Sequence, residues 1–376
     1  MARPFALRWL PLLAALGLAG HAAPAPPVRA APTRPPVQVL WPASRLYGTD
    51  YIDVRDIAGR YGLRVTRAKE GRLARLADAS GVRLEFEDRN RDFHFDGTRV
   101  FLGAPIVSDR GSLWVSKLDV IKLVAPLLRP ADHAHQLPAV PRVIVLDPGH
   151  GGGDPGKENQ LIGIQEKTAT LDVALRLGKI LSTQGYQVVL TRTTDTRLAP
   201  DQATDLQRRA GVAQKARADL FISLHFNAVE RDAFRVTGTE TYTMTPQFML
   251  STADDRKDDM TNIAFPGNQS DYANLFLGYH LHRTLLAALR TTDRGFKRAR
   301  FVVLRFVECP AVLIESAYLS NDDEARRIAS PDYRQRIAEG IAAGVQTYVN
   351  ALAALRAPAA TAPRSAASPS PSPAKT

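Results

Sequence analysis

Cysteine is nearly absent. Cys309 stands alone, so no internal disulfide can staple the fold, and stability has to come from a packed core. Its setting, Phe306-Val307-Glu308-Cys309-Pro310 ahead of an apolar run, reads as a small buried hydrophobe rather than a nucleophile. Long apolar runs are lacking as well. The strongest, Trp9 to Ala19, is too short to cross a bilayer comfortably, which takes about 20 residues. No later stretch is apolar enough to try. Position 21 carries His21 where a lipoprotein needs cysteine, which excludes lipid attachment there. Acid is outweighed by base: 49 Lys and Arg face 38 Asp and Glu, a net charge of +11. Such a surplus favours weak, salt-dependent attraction to anionic polymers or headgroups. It names no partner by itself. No internal repeat is present.

The two ends carry signals of their own. Arg3 and Arg8 precede the apolar run, and Gly20, Ala22, Ala23 and Ala25 follow it. That order reads as a secretory signal peptide over 1–25. Export to the periplasm or cell envelope then makes nucleic acid an unexpected partner and leaves no membrane anchor after cleavage. Residues 26–37 are an Ala, Pro and Arg leader without periodicity. The stretch 355–376 is mostly Ala, Pro, Ser and Thr and reads as a disordered tail.

Between the ends lie two segments of different character. Residues 38–130 contain short runs that alternate polar with apolar, as half-buried strands do: Leu63-Arg64-Val65, Arg83-Leu84-Glu85-Phe86 and Asp92-Phe93-His94-Phe95. Asp96-Gly97 is a hairpin signal. Short helices are expected around Asp53 to Ala58 and Leu118 to Leu128. This is a small α+β domain, suited to binding or positioning. It holds one histidine, His94, expected to be structural. A linker over 131–140 follows, in which His133 and His135 are polar filler.

From 141 to 354 continuous apolar strands alternate with amphipathic helices. Strands are expected at Arg142–Asp147, Gln187–Thr191, Asp219–His225, Thr237–Thr243, Phe301–Leu304 and Ala311–Glu315. Helices are expected near Glu166–Gln184, Asp205–Arg217, Ser270–Arg290 and Tyr333–Leu352. The fold class is α/β, a mainly parallel sheet with helices on both faces, preceded by the small α+β domain. In such sheets sites form outside the carboxyl ends of the strands. Three strands end there in a reactive group: His150 in Asp147-Pro148-Gly149-His150-Gly151-Gly152, His225 in Leu224-His225-Phe226-Asn227, and Glu315 after Val312-Leu313-Ile314. Glu166 opens a long helix after the first turn. Taken singly, each has a plain explanation: a hydrogen-bonded histidine, a glutamate favouring a helix's positive end, a glutamate paired with arginine. Together, two imidazoles and a carboxylate supply a His2Glu zinc site with a fourth position for water, and a further carboxylate can move the protons. His280 and His282 lie about 200° apart around a helix and cannot both face one metal from it.

These motifs, with Ser223-Leu224-His225-Phe226-Asn227-Ala228 and Glu315-Ser316-Ala317-Tyr318-Leu319-Ser320-Asn321, resemble those of zinc-dependent N-acetylmuramoyl-L-alanine amidases. The resemblance spans Val143 to about Tyr348. It implies one zinc held by His150, Glu166 and His225, with Glu315 as the catalytic carboxylate and Asn227 either orienting substrate or completing its turn. Peptidoglycan would be the substrate and the bond cut that between N-acetylmuramic acid and L-alanine. Whether an envelope regulator controls it stays open. Two alternatives remain on the same fold, a zinc peptidase acting within the stem peptide and a non-catalytic wall-binding protein. Ala317 departs from the family's Gly, which permits conformations Ala does not. Residues 249–268 form either a lid or a long surface loop. Residues 38–130 resemble the small domains named after the N-terminal domain of copper amine oxidases.

Overall fold

The computed structural model describes residues 40–252 and 260–357. The expected signal peptide, the leader and nearly all of the tail lie outside the described residues, as does the centre of 249–268.

The chain opens with strands β1 (Ser44–Leu46) and β2 (Thr49–Asp53), then helix α1 (Val54–Tyr61). Asp53 caps that helix by accepting from the Arg55 N–H, and Gly62, at φ 65°, closes it in the left-handed conformation glycine takes most easily. Next come β3 (Arg64–Ala68), β4 (Leu73–Asp78), β5 (Gly81–Glu87), β6 (Asp92–Phe95) and β7 (Thr98–Phe101), an antiparallel meander. Strands β8 (Val107–Asp109) and β9 (Ser112–Ser116) join β1 and β2 in a separate four-stranded sheet. A helical run containing α2 (Lys117–Asp119) and α3 (Ala125–Leu128) ends this segment.

The second segment begins with β10 (Val143–Pro148), then a two-residue hairpin of β11 (Glu158–Asn159) and β12 (Ile164–Gln165), then α4 (Glu166–Thr183). Strand β13 (Gln187–Leu190), α5 (Gln202–Ala216), β14 (Leu220–Asn227) and β15 (Thr239–Met244) follow. The last elements are α6 (Asp271–Leu289), β16 (Asp293–Ala299), α7 (Val302–Arg305), β17 (Ala311–Tyr318), α8 (Asp322–Ala329) and α9 (Pro331–Arg356). Strands β13, β10, β14 and β17 run parallel side by side, β15 joins β17 antiparallel, and β16 pairs parallel with β15. Alternation along the buried strands sorts their side chains onto two layers. Ile144 and Leu146 face α4, α6 and α9, whereas Val145 faces α5 and α7. Ile222 and Phe221, or Ile314 and Leu313, divide in the same way. Helices therefore cover both faces, as the continuous apolar strands require.

Three local expectations differ from the structure. Phe301–Leu304, expected as a strand, is instead one helical turn. The Phe301 carbonyl accepts from the N–H groups of Leu304 and Arg305, and burial of Val303 and Leu304 against α5 outweighs the strand preference of valine. Strand β16 was not expected, because Asp293-Arg294-Gly295-Phe296-Lys297-Arg298-Ala299 lacks an apolar pattern. Helix α8, capped by the Asn321 side chain, was missed too.

The segments meet closely. Strand β16 pairs parallel with β7, Phe296 opposite Val100, so one eleven-stranded sheet runs through both. Met249, Leu275, Tyr279 and Phe296 join the hydrophobic core of the first segment. Part of the stretch expected as a linker forms a 3-10 turn, Pro130–Gln136. His133 stacks on Tyr272 at 4.6 Å, and Arg356 donates to the Leu137 carbonyl at 2.8 Å. The stretch is tied to the second segment at His133 and Leu137.

Candidate active site

Strand β10 breaks at Pro148 into a turn held by two arginines. Arg209, buried, donates to Asp147 (2.9 Å), to the Pro148 carbonyl (2.8 Å) and to the His150 carbonyl (2.7 Å). Arg192 donates to the carbonyls of Pro148 (3.0 Å), Gly149 (2.8 Å) and Lys167 (2.8 Å). Asp147 also accepts from Thr191 (2.7 Å) and Ser223 (2.8 Å). Burial pushes its carboxyl up, but the Arg209 charge and these hydroxyls outweigh that and hold it below the usual carboxylate range. The turn needs this support, since His150 sits at φ 63°, a left-handed backbone uncommon outside glycine. Gly149 is required for a different reason. A Cβ there would lie 2.2 Å from His225 Cε1, so the bare backbone lets the two histidines converge.

Glu166 is brought to them by the small hairpin, which turns the chain so that α4 starts beneath the turn. Its N–H donates to the Lys157 carbonyl (2.9 Å) and its Oε2 accepts from the Lys157 N–H (2.9 Å). Glu166 Oε1 lies 3.2 Å from His150 Nε2 and 2.9 Å from His225 Nδ1, and accepts from the Phe226 N–H at 3.0 Å. Burial alone pushes Glu166 up; the hydrogen bonds and charge of the two histidines overcome it and hold the carboxyl well below its usual range. His150 is moved the other way. Burial lowers its pKa, yet Glu166 and Asp154 raise it further, leaving it above the ordinary histidine value. Asp154 Oδ2 stands 3.0 Å from His150 Nδ1, which fixes the ring with Nε2 towards Glu166, the carboxylate–histidine arrangement that orients metal-bound imidazoles. The three side chains each offer a ligand atom within 4.8 Å of the others. Two imidazole nitrogens and one carboxylate oxygen suit a borderline cation such as zinc, so the residues fit one.

Glu315 faces this cluster. It stands in register with His225 on one side and Glu240 on the other, and its Oε2 is covered without a hydrogen-bond partner among the described residues. Burial first, then the charges of Glu166 and Glu240, push its carboxyl well above the usual range. Glu240 was missed in the sequence. Its Oε1 accepts from Lys297 (2.6 Å) and the Tyr318 hydroxyl (2.5 Å), its Oε2 from the Tyr242 hydroxyl (2.6 Å) and Asn227 Nδ2 (3.0 Å). The available signal was a charged residue inside Thr239-Glu240-Thr241-Tyr242-Thr243, a strand with no face free for it. The Asn227 amide is thereby oriented, and its Oδ1 accepts from the Ala228 N–H at 2.7 Å; the residue both completes its turn and lines the cleft.

That cleft has a volume of about 470 Å³. One side carries His150, Glu166, His225 and Glu315; the other is apolar, with Leu206, Phe301, Val302 and Val303. The other histidines among the described residues lie elsewhere. His94 is exposed on β6 and His135 is exposed in the 3-10 turn. Burial pushes His280 down to about 4, and its ring meets Phe276 and Tyr279 edge-on. His282, wholly buried, bridges Thr241 (3.0 Å) and Asp293 (2.9 Å). Burial pushes the Cys309 thiol up to about 12, which disfavours the nucleophilic thiolate at neutral pH. Ala317 is buried within β17 and is not among the residues of positive φ, so the strand takes alanine without strain.

Fold and donor set together are those of an α/β protein with a possible metal-binding triad, His150, Glu166 and His225. The sequence profile of the Amidase_3 family, N-acetylmuramoyl-L-alanine amidase, matches residues 144–347; the chain belongs to this family. It is 33% identical over 217 residues to the N-acetylmuramoyl-L-alanine amidase LytC of Bacillus subtilis, an alignment covering 57% of this chain and 37% of LytC. To the amidase AmiC of Neisseria meningitidis it is 32% identical, covering 55% of this chain and 53% of the relative. To AmiA of Escherichia coli K12 it is 31% identical, covering 55% of this chain and 76% of AmiA. The chain thus spans 37% of LytC and 53% of AmiC.

Proposed function

We propose that this protein is a zinc-dependent N-acetylmuramoyl-L-alanine amidase that releases stem peptides from peptidoglycan. The observation that carries this reading is Glu315, half-buried with its Oε2 covered and lacking a hydrogen-bond partner among the described residues, beside a His150–Glu166–His225 cluster in a chain of the amidase family. In this reading His150, Glu166 and His225 hold the metal. Bound zinc supplies a Lewis acid that polarises the lactyl amide carbonyl and acidifies water. Glu315 takes the proton from the attacking water and passes one to the departing L-alanine nitrogen, so the peptide leaves as a neutral amine. Asp154 keeps His150 turned inward, and the Glu240 carboxylate keeps Asn227 turned across the cleft floor. No serine or cysteine nucleophile takes part.

The same reading places the protein in the envelope after removal of its first 22 to 25 residues. An envelope form whose N-terminal sequence begins at Met1 excludes that step. Residues 38–130, with their likeness to the copper amine oxidase N-terminal-like domains, serve to position the enzyme on the wall. Digestion of purified sacculi followed by mass spectrometry tests the activity. Intact stem peptides with a free N-terminal alanine, beside peptide-free glycan, are expected. Shortened stems indicate a peptidase instead, and undigested sacculi a protein that only binds.

A further inference from the structure

The apolar side of the cleft is supported from outside the catalytic segment. Phe301, Val302 and Val303 follow directly on β16 and Arg300, and β16 is bonded to β7 of the first segment. A second support is the chain just after β15. There Met249 leaves the catalytic segment and buries its side chain in the first segment's core, 2% exposed. It reaches so close that a Cβ on Gly103 would stand 3.2 Å from Met249 Cε. Arg91, also of the first segment, donates to the Ser251 carbonyl at 2.8 Å. The return path leads to the cleft: Arg300 Nη2 donates to the Met249 carbonyl at 2.8 Å. Thr252 clasps the Arg298 backbone twice, accepting from its N–H and donating to its carbonyl, at 2.9 and 2.8 Å.

We propose that Met249 is a positioning residue, the plug through which residues 41–130 fix the Arg300–Val303 side of the cleft and hence the seating of the substrate. The proposal rests on the amidase reading for its substrate, but the mechanical link does not. A core plug of this kind loses its grip when truncated, because the cavity left behind is not refilled. The metal cluster and Glu315 lie elsewhere, in the turn after β10, at the start of α4, and on β14 and β17, and keep their positions.

Met249→Ala and Met249→Leu in the full chain test this by amide hydrogen exchange and by steady-state kinetics on a soluble muropeptide. In Met249→Ala, exchange over residues 300–305 is expected to speed up by about tenfold or more while β10 and β14 stay protected, the pattern of a local opening. KM is expected to rise about fivefold with kcat nearly unchanged, the mark of lost binding common to ground and transition state. Met249→Leu, close in volume, restores both. Unchanged exchange at 300–305, or faster exchange spread evenly over the chain, overturns the link. Faster local exchange with an unaltered KM overturns the positioning role. A wild-type protein that cuts no amide while the exchange result holds defeats the amidase reading and leaves the link standing.

Discussion

Gly149→Ala isolates the placement of one proposed metal ligand. Gly149 is not among the residues of positive φ, so alanine is acceptable to the backbone itself. The obstacle is His225: the new Cβ would lie 2.2 Å from Cε1, 2.5 Å from Nε2 and 2.7 Å from Nδ1. Ordinary contact begins near 3.4 Å, so the ring has to retreat by about 1.2 Å. The turn cannot yield instead. The Gly149 N–H donates to the Leu224 carbonyl at 3.0 Å, and its own carbonyl accepts from Arg192 (2.8 Å) and Thr170 (2.9 Å). Metal sites tolerate ligand displacements of only about 0.2 Å. Zinc affinity is therefore expected to fall at least as far as for lost ligand-orienting contacts, roughly 10- to 100-fold. Overpacking adds a stability cost of about 1–3 kcal/mol, which a chain with this core survives. Metal analysis after dialysis against graded chelator, beside a thermal melt, reads both quantities. A folded Gly149→Ala protein that retains one zinc with wild-type affinity refutes the ligand role of His225.

The two glutamates should separate cleanly. Glu166→Ala is expected to lose zinc and activity together, whereas Glu315→Gln keeps zinc and loses about 10²- to 10⁴-fold in turnover, the worth of a positioned acid or base; the opposite pattern in metal content reverses the assignments. Arg209→Met strands the buried Asp147 carboxylate and should cost about 3–5 kcal/mol at neutral pH in chemical denaturation. Because Asp147 titrates below its usual range in the fold, the pair's contribution is present at neutral pH and fades as pH falls through that lowered value. The gap between variant and wild type should narrow on acidification, and a gap constant down to pH ~3, near the lower end of the carboxylate range, contradicts this. Removing residues 41–130 uncovers Phe296, Leu275 and Tyr279, each at most 4% exposed, at about 1.5–3 kcal/mol per side chain. The truncated chain should be aggregation-prone, and a soluble fragment with wild-type melting counts against the shared core.

How far the sequence was legible follows from where each signal resides. Strands β10, β14 and β17 are buried on both faces, so they read as unbroken apolar runs, and the polar residues that end them stood out. His150, His225 and Glu315 were visible for that reason, and Glu166 because a helix begins on it. Glu240 was not, since its cost of burial is met by Lys297, Tyr242 and Tyr318, of which Lys297 comes from a strand that is itself hard to see. Strand β16 looks like a polar loop because its burial is completed by the other segment: Phe296 is covered by the first segment's core, and Arg298 donates to the Phe101 carbonyl. The same partnership hid the docking of the stretch around 131–140, whose proline and exposed residues suggest slack while His133 and Leu137 are tied down.

The pairing of β16 with β7 also decides where the main sheet comes to an end. Without β7, the outer side of β16 would present unpaired N–H and C=O groups beside the cleft, an invitation to edge-to-edge association between molecules. With the first segment in place, the sheet continues five strands further and stops at β3. There Arg64 and Arg67 project into solvent, and like charges on an approaching copy repel. At this end the large sheet thus terminates far from its working cleft, on a rim that discourages stacking of one molecule against another.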